Sequence, residues 1–180
     1  MKKFKLITTI ACAFLMLLTL NVNAQNFKGL DKSPMDAASF PSDYKVSDKL
    51  IKIVYSRPQL NGRALSELAP NGKVWRTGAN EAAELTLYTD MKLGDTPIKA
   101  GVYTFYTIPG DTEWTVIISK DLNVWGSYFY NEANDVARLF VPVTSGEPLE
   151  AFSIAFDASD NGVTMNLGWD TLRIAVPFTK

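Results

Sequence analysis

The 180-residue sequence predicts an all-β fold: a single-domain antiparallel β-sandwich or, as the alternative, a flattened β-barrel. From Lys49 onward, apolar and polar residues alternate in short runs, as in strands with one buried and one solvated face. Asn-Gly pairs at 61–62, 71–72 and 161–162 fit tight hairpin turns, because both residue types tolerate positive φ. No long run shows helical periodicity. Together these patterns predict about eight to ten short strands.

The amino terminus, MKKFKLITTIACAFLMLLTLNVNAQ, has the layout of a secretory signal peptide. Its lysines precede an apolar run at 7–20, and Val22-Asn23-Ala24 supplies a small residue at the cleavage point. The apolar run is shorter than the about 20 residues that a membrane anchor needs. We therefore predict a cleaved signal at 1–24, export to the periplasm or the extracellular space, and no membrane span after cleavage.

The composition excludes several classes of function. Cleavage would remove three of the 18 basic residues and none of the 19 acidic ones, which leaves a net charge of −4. A mildly acidic domain lacks the basic surface that binds nucleic acid. The chain has no histidine, and its one cysteine, Cys12, lies in the signal. Nucleophilic catalysis and zinc sites that depend on these residues are excluded, and we predict no cofactor. The oligomeric state cannot be predicted from composition.

The first half of the chain predicts an arm and then the start of the sheet. Residues 25–48 are polar and contain two prolines, which predicts an extended N-terminal arm before a β-sandwich domain at 49–180. KLIKIVYSRP at 49–58 predicts the first strand, and ELTLYT at 84–89 predicts the next. Between them, GRALSELA at 62–69 is consistent with a short helix or a turn.

The second half predicts a hairpin and four further strands. AGVYTFYTIPG at 100–110 and EWTVIISK at 113–120 are rich in aromatic and β-branched residues and are separated by a short turn. The alternation of apolar with polar or small residues is clearest in VTMNLGWD. The four later strands are predicted at 136–143, 149–157, 163–170 and 172–178.

DASDNG at 157–162 resembles the start of a calcium-binding loop. Such a loop needs a bidentate acid at its last position, which is Gly168 in this chain, and the flanking segments read as strands. We therefore predict a hairpin turn here and no metal site.

The densest group of polar and aromatic residues surrounds VWRTGANE at 74–81. Arginine is suited to carboxylate or phosphate, and tryptophan to stacking on a sugar or a guanidinium. The candidate ligand site consists of Arg57, Arg63, Trp75, Arg76, Asn80 and Glu81. In the alternative interpretation, Arg76 pairs with Glu81 across a turn, Asn80 caps backbone groups and Trp75 belongs to the core.

A second aromatic group lies in VWGSYFYNEAND at 124–135. Exposed tryptophan and tyrosine rings form the platforms of carbohydrate-binding faces, but sandwich cores also contain many aromatic residues. Both interpretations, platform and core, remain open from the sequence.

Five segments resemble a known family: IKIVYSRPQLNGR, KVWRTGANEAAELTLYTD, AGVYTFYTIPG, EWTVII and LGWDTLRIAVPF. They are similar to the bacterial secreted family called domain of unknown function 2911, over about Ser33 to Phe178. WRTGANE and AGVYTFYTIPG are the most specific pieces. The resemblance implies an export signal and a β-rich domain, and it supplies no activity. It places the six candidate site residues at motif positions of the family.

Three functions remain open. The leading prediction is a binding domain for a small polar or anionic ligand, such as a glycan or a peptide. The first alternative is a hydrolase that uses carboxylates, with Glu81 as the acid, which requires a second carboxyl group about 5 to 10 Å away. The second is a structural module of the cell envelope.

Overall fold

The computed structural model of the protein describes residues 26–180, so the signal predicted at 1–24 lies outside the described residues. The all-β, antiparallel prediction is confirmed. The strands are β1 (Met35–Phe40), β2 (Ile51–Ser56), β3 (Ala83–Leu87), β4 (Met91–Leu93), β5 (Thr96–Ile98), β6 (Gly101–Ile108), β7 (Glu113–Ser119), β8 (Asp135–Ser159) and β9 (Gly162–Thr179). One helical turn, α1 (Leu65–Leu68), lies within the segment that predicted a short helix, and a 3₁₀ helix spans Glu132–Asn134.

The strands are hydrogen-bonded in the order β1-β2-β3-β6-β7-β8-β9-β4-β5, and every pairing is antiparallel. The first part of β8 pairs with β7, whereas Val143 to Ser159 pair with β9. Strand β8 therefore belongs to both layers of the fold. Its first part completes the layer of β1, β2, β3, β6 and β7, and its second part joins the layer of β9, β4 and β5. The sheet stays open, with β1 and β5 at its edges, so the fold is sandwich-like and is not the alternative closed barrel.

Strand β9 turns back on itself. Asp170, near its middle, has a left-handed φ of 48°. The backbone N–H of Lys180, just beyond β9, donates to the carbonyl of Asn161, just before it, at 3.0 Å. The backbone of Gly162 packs so tightly that a Cβ there would lie 2.0 Å from the Phe178 carbonyl oxygen. The two ends of β9 are thus in direct contact.

The strand β1 lies inside the segment 25–48 that we predicted as an extended arm. Its sequence, MDAASF, lacks the β-branched residues that mark strands, so the pattern does not reveal it. Backbone pairing from Met35 to Phe40 with β2 places it in the sheet. The ordered sheet therefore begins before residue 49.

The strands predicted at 136–143 and 149–157 are two parts of β8, and those predicted at 163–170 and 172–178 are two parts of β9. Register shifts in the β8–β9 ladder mark where these long strands bend. The predicted hairpin of β6 and β7 is confirmed, and DASDNG forms the turn between β8 and β9. The short strands β4 and β5 were not predicted.

The core lies between the layers and is rich in aromatic rings. The Trp75 ring stacks on Trp169 of β9 at 5.6 Å between centroids, with 16° between the planes. It also makes edge-on contacts with Trp114 of β7 at 5.9 Å and Phe152 of β8 at 5.0 Å. All four side chains are buried, so rings from both layers meet at Trp75. Among the described residues, no helix has the length and apolar character that spanning a membrane requires.

Candidate functional site

Arg57 at the end of β2 is held by structural contacts. Its Nε donates to the Phe152 carbonyl at 3.0 Å and its Nη2 to Ser153 Oγ at 2.7 Å. Its Nη1 forms an ion pair with Asp36 Oδ2 at 3.1 Å, and its backbone N–H donates to Pro34. The guanidinium therefore connects β1 and β2 to the second part of β8, and each of its three nitrogens donates a hydrogen bond within the fold.

Trp75 and Arg63 do not share a surface on which one ligand could contact both. Trp75 is 4% exposed and belongs to the core, as the alternative interpretation of the motif proposed. Arg63 is exposed, and its guanidinium donates to the carbonyls of Leu60 and Gln59 in its own loop at 2.9 and 2.8 Å. The structure does not bring the predicted arginines and Trp75 together at one cavity.

Arg76 and Glu81 do not form the ion pair of the alternative interpretation. Among residues 26–180, neither side chain takes part in a salt bridge. Arg76 is half-buried, and its Nε has no hydrogen-bond partner within that range. Glu81 is exposed. The two residues therefore have separate surroundings.

The backbone of residues 77–80 turns sharply and passes close to β2, which explains the glycine and the asparagine in this stretch. Thr77 is fully buried at a φ of 52°, and its Oγ1 lies 3.1 Å from Thr107 Oγ1. Gly78 passes so close to β2 that a Cβ would lie 2.9 Å from the Ser56 carbonyl oxygen. Asn80 has a φ of 60°, which asparagine tolerates better than most residues. The backbone N–H of Ser33 and, to a lesser extent, the Asn80 amide lower the pKa of Asp31.

The segment 74–82 supports the loop 120–134, which connects β7 to β8. The backbone N–H of Ala82 donates to Val124 at 3.0 Å, and that of Gly126 donates to Asn80 at 2.9 Å. Ser127 Oγ donates to the Val74 carbonyl at 2.8 Å. The VWRTGANE motif is therefore the base on which this loop is fixed.

These hydrogen bonds set Glu81 opposite Trp125 in an isolated antiparallel bridge. The bonds run between the neighbours of the two residues, so Glu81 and Trp125 are a non-hydrogen-bonded pair. In such pairs the side chains project to the same side and come close together. Trp125 is 57% exposed. A carboxylate and an exposed indole thus lie side by side.

A pocket of about 230 Å³ lies next to this pair, and we call it the Glu81 pocket. Its polar lining residues are Glu81, Glu84, Thr104 and Asn123. The charged lining residues are both acidic, and neither forms an ion pair with another of the described residues. The rest of the wall is Met35, Val54, Ala82 and Val124.

The aromatic group at 124–135 divides between surface and interior. Trp125, Tyr128 and Phe129 are 57%, 75% and 87% exposed, so the core interpretation is wrong for these three rings. Tyr130 instead turns inward and packs edge-on against Tyr106 at 5.3 Å between centroids. The loop therefore covers the outer face of the sheet and presents rings to solvent.

A polar cluster lies beneath this loop. Tyr130 OH and Arg138 Nε both donate to Asp135 Oδ2, at 2.7 and 2.6 Å, and Asn134 Nδ2 donates to Asp121 Oδ1 at 2.6 Å. Burial, followed by the charges of Asp121 and Asp135, raises the pKa of Tyr106 to about 12. Burial and the contacts with Asp135 raise the pKa of Tyr130 to about 12.

These raised pKa values predict a loss of stability at high pH. In the unfolded chain the phenols ionise near pH 10, whereas in the folded protein they stay neutral up to about pH 12. The free energy of unfolding should therefore fall as pH rises from about 10 to about 12. Urea unfolding across this range should show a smaller fall in Tyr106→Phe, which cannot ionise. An equal fall in that variant and the wild type would contradict the prediction, and Tyr44→Phe, at an exposed tyrosine, is the matched control.

A larger depression, of about 690 Å³, lies where the β8–β9 turn meets Phe40, Leu50 and the chain end at Lys180. Its walls are turn and terminal residues, and its charged lining residues, Asp160 and Lys180, are of opposite sign. We consider the Glu81 pocket the better candidate, because two acidic residues and an asparagine line it and the exposed Trp125 is paired with one of them, Glu81. Within residues 26–180, no cluster of three or more acidic, histidine or cysteine side chains could hold a metal ion.

Of the predicted site residues, Glu81 lines the pocket and Asn80 supports it. The pattern did not reveal Glu84 or Asn123, because Glu84 reads as the polar face of a strand and Asn123 as a loop residue. The sequence offered one signal, the two acids of EAAE at 81–84. It did not show that these acids lie beside the aromatic-rich loop, which is about forty residues away along the chain.

The comparisons with known proteins give one match. No curated protein and no solved structure matches the chain. Residues 33–178 match the family described as "Protein of unknown function (DUF2911)". This range runs from just before β1 to the last residue but one of β9 and contains the Glu81 pocket and the loop 120–134. The chain therefore belongs to the DUF2911 family.

Proposed function

We propose that the protein is an exported sugar-binding domain whose ligand occupies the Glu81 pocket. The observation that carries this proposal is the pairing of Glu81 with exposed Trp125 at the edge of a pocket that also contains Glu84 and Asn123. Carboxylate and amide oxygens accept hydrogen bonds from neighbouring sugar hydroxyls. An indole ring offers a flat apolar surface for the C–H face of a pyranose. The signal that we predict at 1–24 supports action after export.

The lining favours a neutral ligand over an anionic one. Glu81 and Glu84 would repel an anion, and the residues that line the pocket include no arginine or lysine. The pocket is also small. Its volume of about 230 Å³ lies below the range of about 300 to 1,000 Å³ for pockets that hold drug-sized ligands. It therefore fits one sugar ring rather than a folded peptide.

Binding should depend on the two carboxylates. We expect Glu81→Gln combined with Glu84→Gln to lower the affinity for a neutral mono- or disaccharide at least about tenfold, since hydrogen bonds to charged groups contribute about 1.5 to 3 kcal/mol. Isothermal titration calorimetry against a panel of neutral sugars measures this. Glu67→Gln, at an exposed acid on α1, is the matched control and should bind as the wild type does. Equal affinity in the double variant, or no binding of any panel member, would contradict the proposal.

The dependence of affinity on salt concentration distinguishes a neutral sugar from a basic peptide as the ligand. A neutral sugar should bind equally well at low and high ionic strength, because no charge on the ligand is screened. If oligolysine bound instead, and its affinity fell with added salt, the pocket would be a site for cationic peptides. A folded protein that bound neither ligand would fit a structural role in the cell envelope.

The shared pocket of Glu81 and Glu84 also favours a second candidate, a carboxylate-dependent glycoside hydrolase. Such enzymes place one carboxyl group as acid and another as nucleophile or base around the scissile bond. The same panel distinguishes the two functions. Release of reducing sugar by the wild type that disappears in Glu81→Gln would show hydrolysis, whereas binding without release supports the binding domain.

A further inference from the structure

We propose that the ligand is a chain of sugar units, and that Tyr128 and Phe129 bind the units that lie outside the Glu81 pocket. This inference rests on the proposed sugar-binding function of that pocket. It assigns a role to a surface that the pocket alone does not explain.

The first evidence is the exposure of the rings. Trp125, Tyr128 and Phe129 lie within five residues of one another on the loop 120–134, and each exposes more than half of its surface. Exposed apolar residues that occur singly need no explanation, but several exposed rings on one short loop point to a binding surface. This group continues from Val124 and Asn123 in the pocket wall.

The second evidence is that the Tyr128 ring and the backbone beside it are held in place. The Tyr128 ring packs directly over Gly126, where a Cβ would lie 2.7 Å from the ring. Gly126 itself has a φ of 68° and donates its N–H to Asn80. Ser127 Oγ is bonded to the Val74 carbonyl. A surface that is ordered before binding loses little conformational entropy when a ligand stacks on it.

The volume of the Glu81 pocket and the charge of its lining indicate which ligand binds there and on the loop. The pocket has room for about one sugar ring by the volume argument above, so additional units must lie on the loop beside it. The carboxylates of Glu81 and Glu84 next to the rings disfavour polyanions and anionic membrane surfaces. In β-linked glucose chains the hydroxyls are equatorial, which leaves flat C–H faces that can stack on successive aromatic rings. The acidic lining thus favours a neutral glycan, and the flat C–H faces of a β-linked chain make it the occupant that we infer for the exposed rings.

The test is the dependence of affinity on chain length. Isothermal titration calorimetry would use β-linked glucose oligomers from glucose to cellohexaose. We expect the affinity of the wild type to rise with length, and the Tyr128→Ala, Phe129→Ala double variant to lose about tenfold for cellohexaose while it keeps the wild-type affinity for glucose. Phe129→Ala alone should lose part of this gain, and it removes a side chain that is 87% exposed. Phe140→Ala, at an exposed ring outside the loop, is the matched control.

The outcomes separate this inference from the function on which it rests. Equal affinity for glucose and cellohexaose would overturn the inference and leave the pocket as a site for single sugars. If neither sugar bound, both proposals would fail. Binding of the wild type to neutral phosphatidylcholine vesicles that the double variant loses, without a gain from glycan length, would identify the rings as a membrane contact and overturn the inference.

Discussion

Trp75→Ala is expected to lower the free energy of unfolding by about 3 to 5 kcal/mol, the usual cost of removing a large buried aromatic side chain. Trp75 is 4% exposed and contacts Trp114, Phe152 and Trp169. The stack with Trp169 and the edge-on contacts connect β7, β8 and β9, so the cavity would open where the layers meet. The surrounding rings are too large to fill it by small rotations.

Urea unfolding followed by circular dichroism measures this effect. Trp125→Ala is the matched control, because it removes the same side chain from a position that is 57% exposed. Its effect should stay within about 0.5 kcal/mol, as for other surface substitutions. Similar losses in the two variants would contradict the placement of Trp75 in the core and of Trp125 on the surface.

Gly162→Ala is expected to destabilise the fold by about 3 kcal/mol or more, at the upper end of the cost of overpacking. The added Cβ would lie 2.0 Å from the Phe178 carbonyl oxygen and 2.9 Å from Thr179 Cα. Both are backbone atoms, so no side-chain rotation relieves the clash. The ends of β9 would have to separate, and the hydrogen bond from Lys180 to Asn161 would be strained or lost.

The melting temperature should fall by about 6 to 12 °C, given about 2 to 4 °C per kcal/mol for domains of this size. Gly101→Ala is the matched control, because Gly101 also opens a strand but a Cβ there would make ordinary contacts with the Tyr103 ring. We expect little change from it. A melting temperature for Gly162→Ala equal to that of the wild type would show that β9 does not return to its own start.

The fold class could be predicted because period-two alternation reports directly which faces of a strand are buried. Trp114, Val116 and Ile118 alternate in this way and all enter the core. At the bends of β8 and β9 the buried positions change from odd to even residue numbers, and the pattern alone does not tell a bend within one strand from a break between two strands. It also misses β1, whose place depends on backbone pairing and on the contacts of Arg57 with Asp36 and β8.

The candidate site was less predictable. The density of polar residues in VWRTGANE identified the right region, but sequence proximity could not show that the backbone at 74–82 supports a loop more than forty residues further along the chain. Glu81 reaches the pocket, whereas Trp75, six residues earlier, points into the core. The partners of Glu81, namely Asn123 and Trp125, come from a segment that only the three-dimensional pairing brings near.

The return of β9 on itself has a consequence for the order of folding. Trp169 and Phe178 are buried core residues supplied by the last twelve residues of the chain, and the end of β9 also pairs with β4. Until the ribosome has made these residues, Trp75 lacks its stacking partner and the layers cannot close. Contacts between distant parts of a chain also form slowly. The core around Trp75 can therefore be completed only once the end of β9 has been made, whatever the other strands have formed by then.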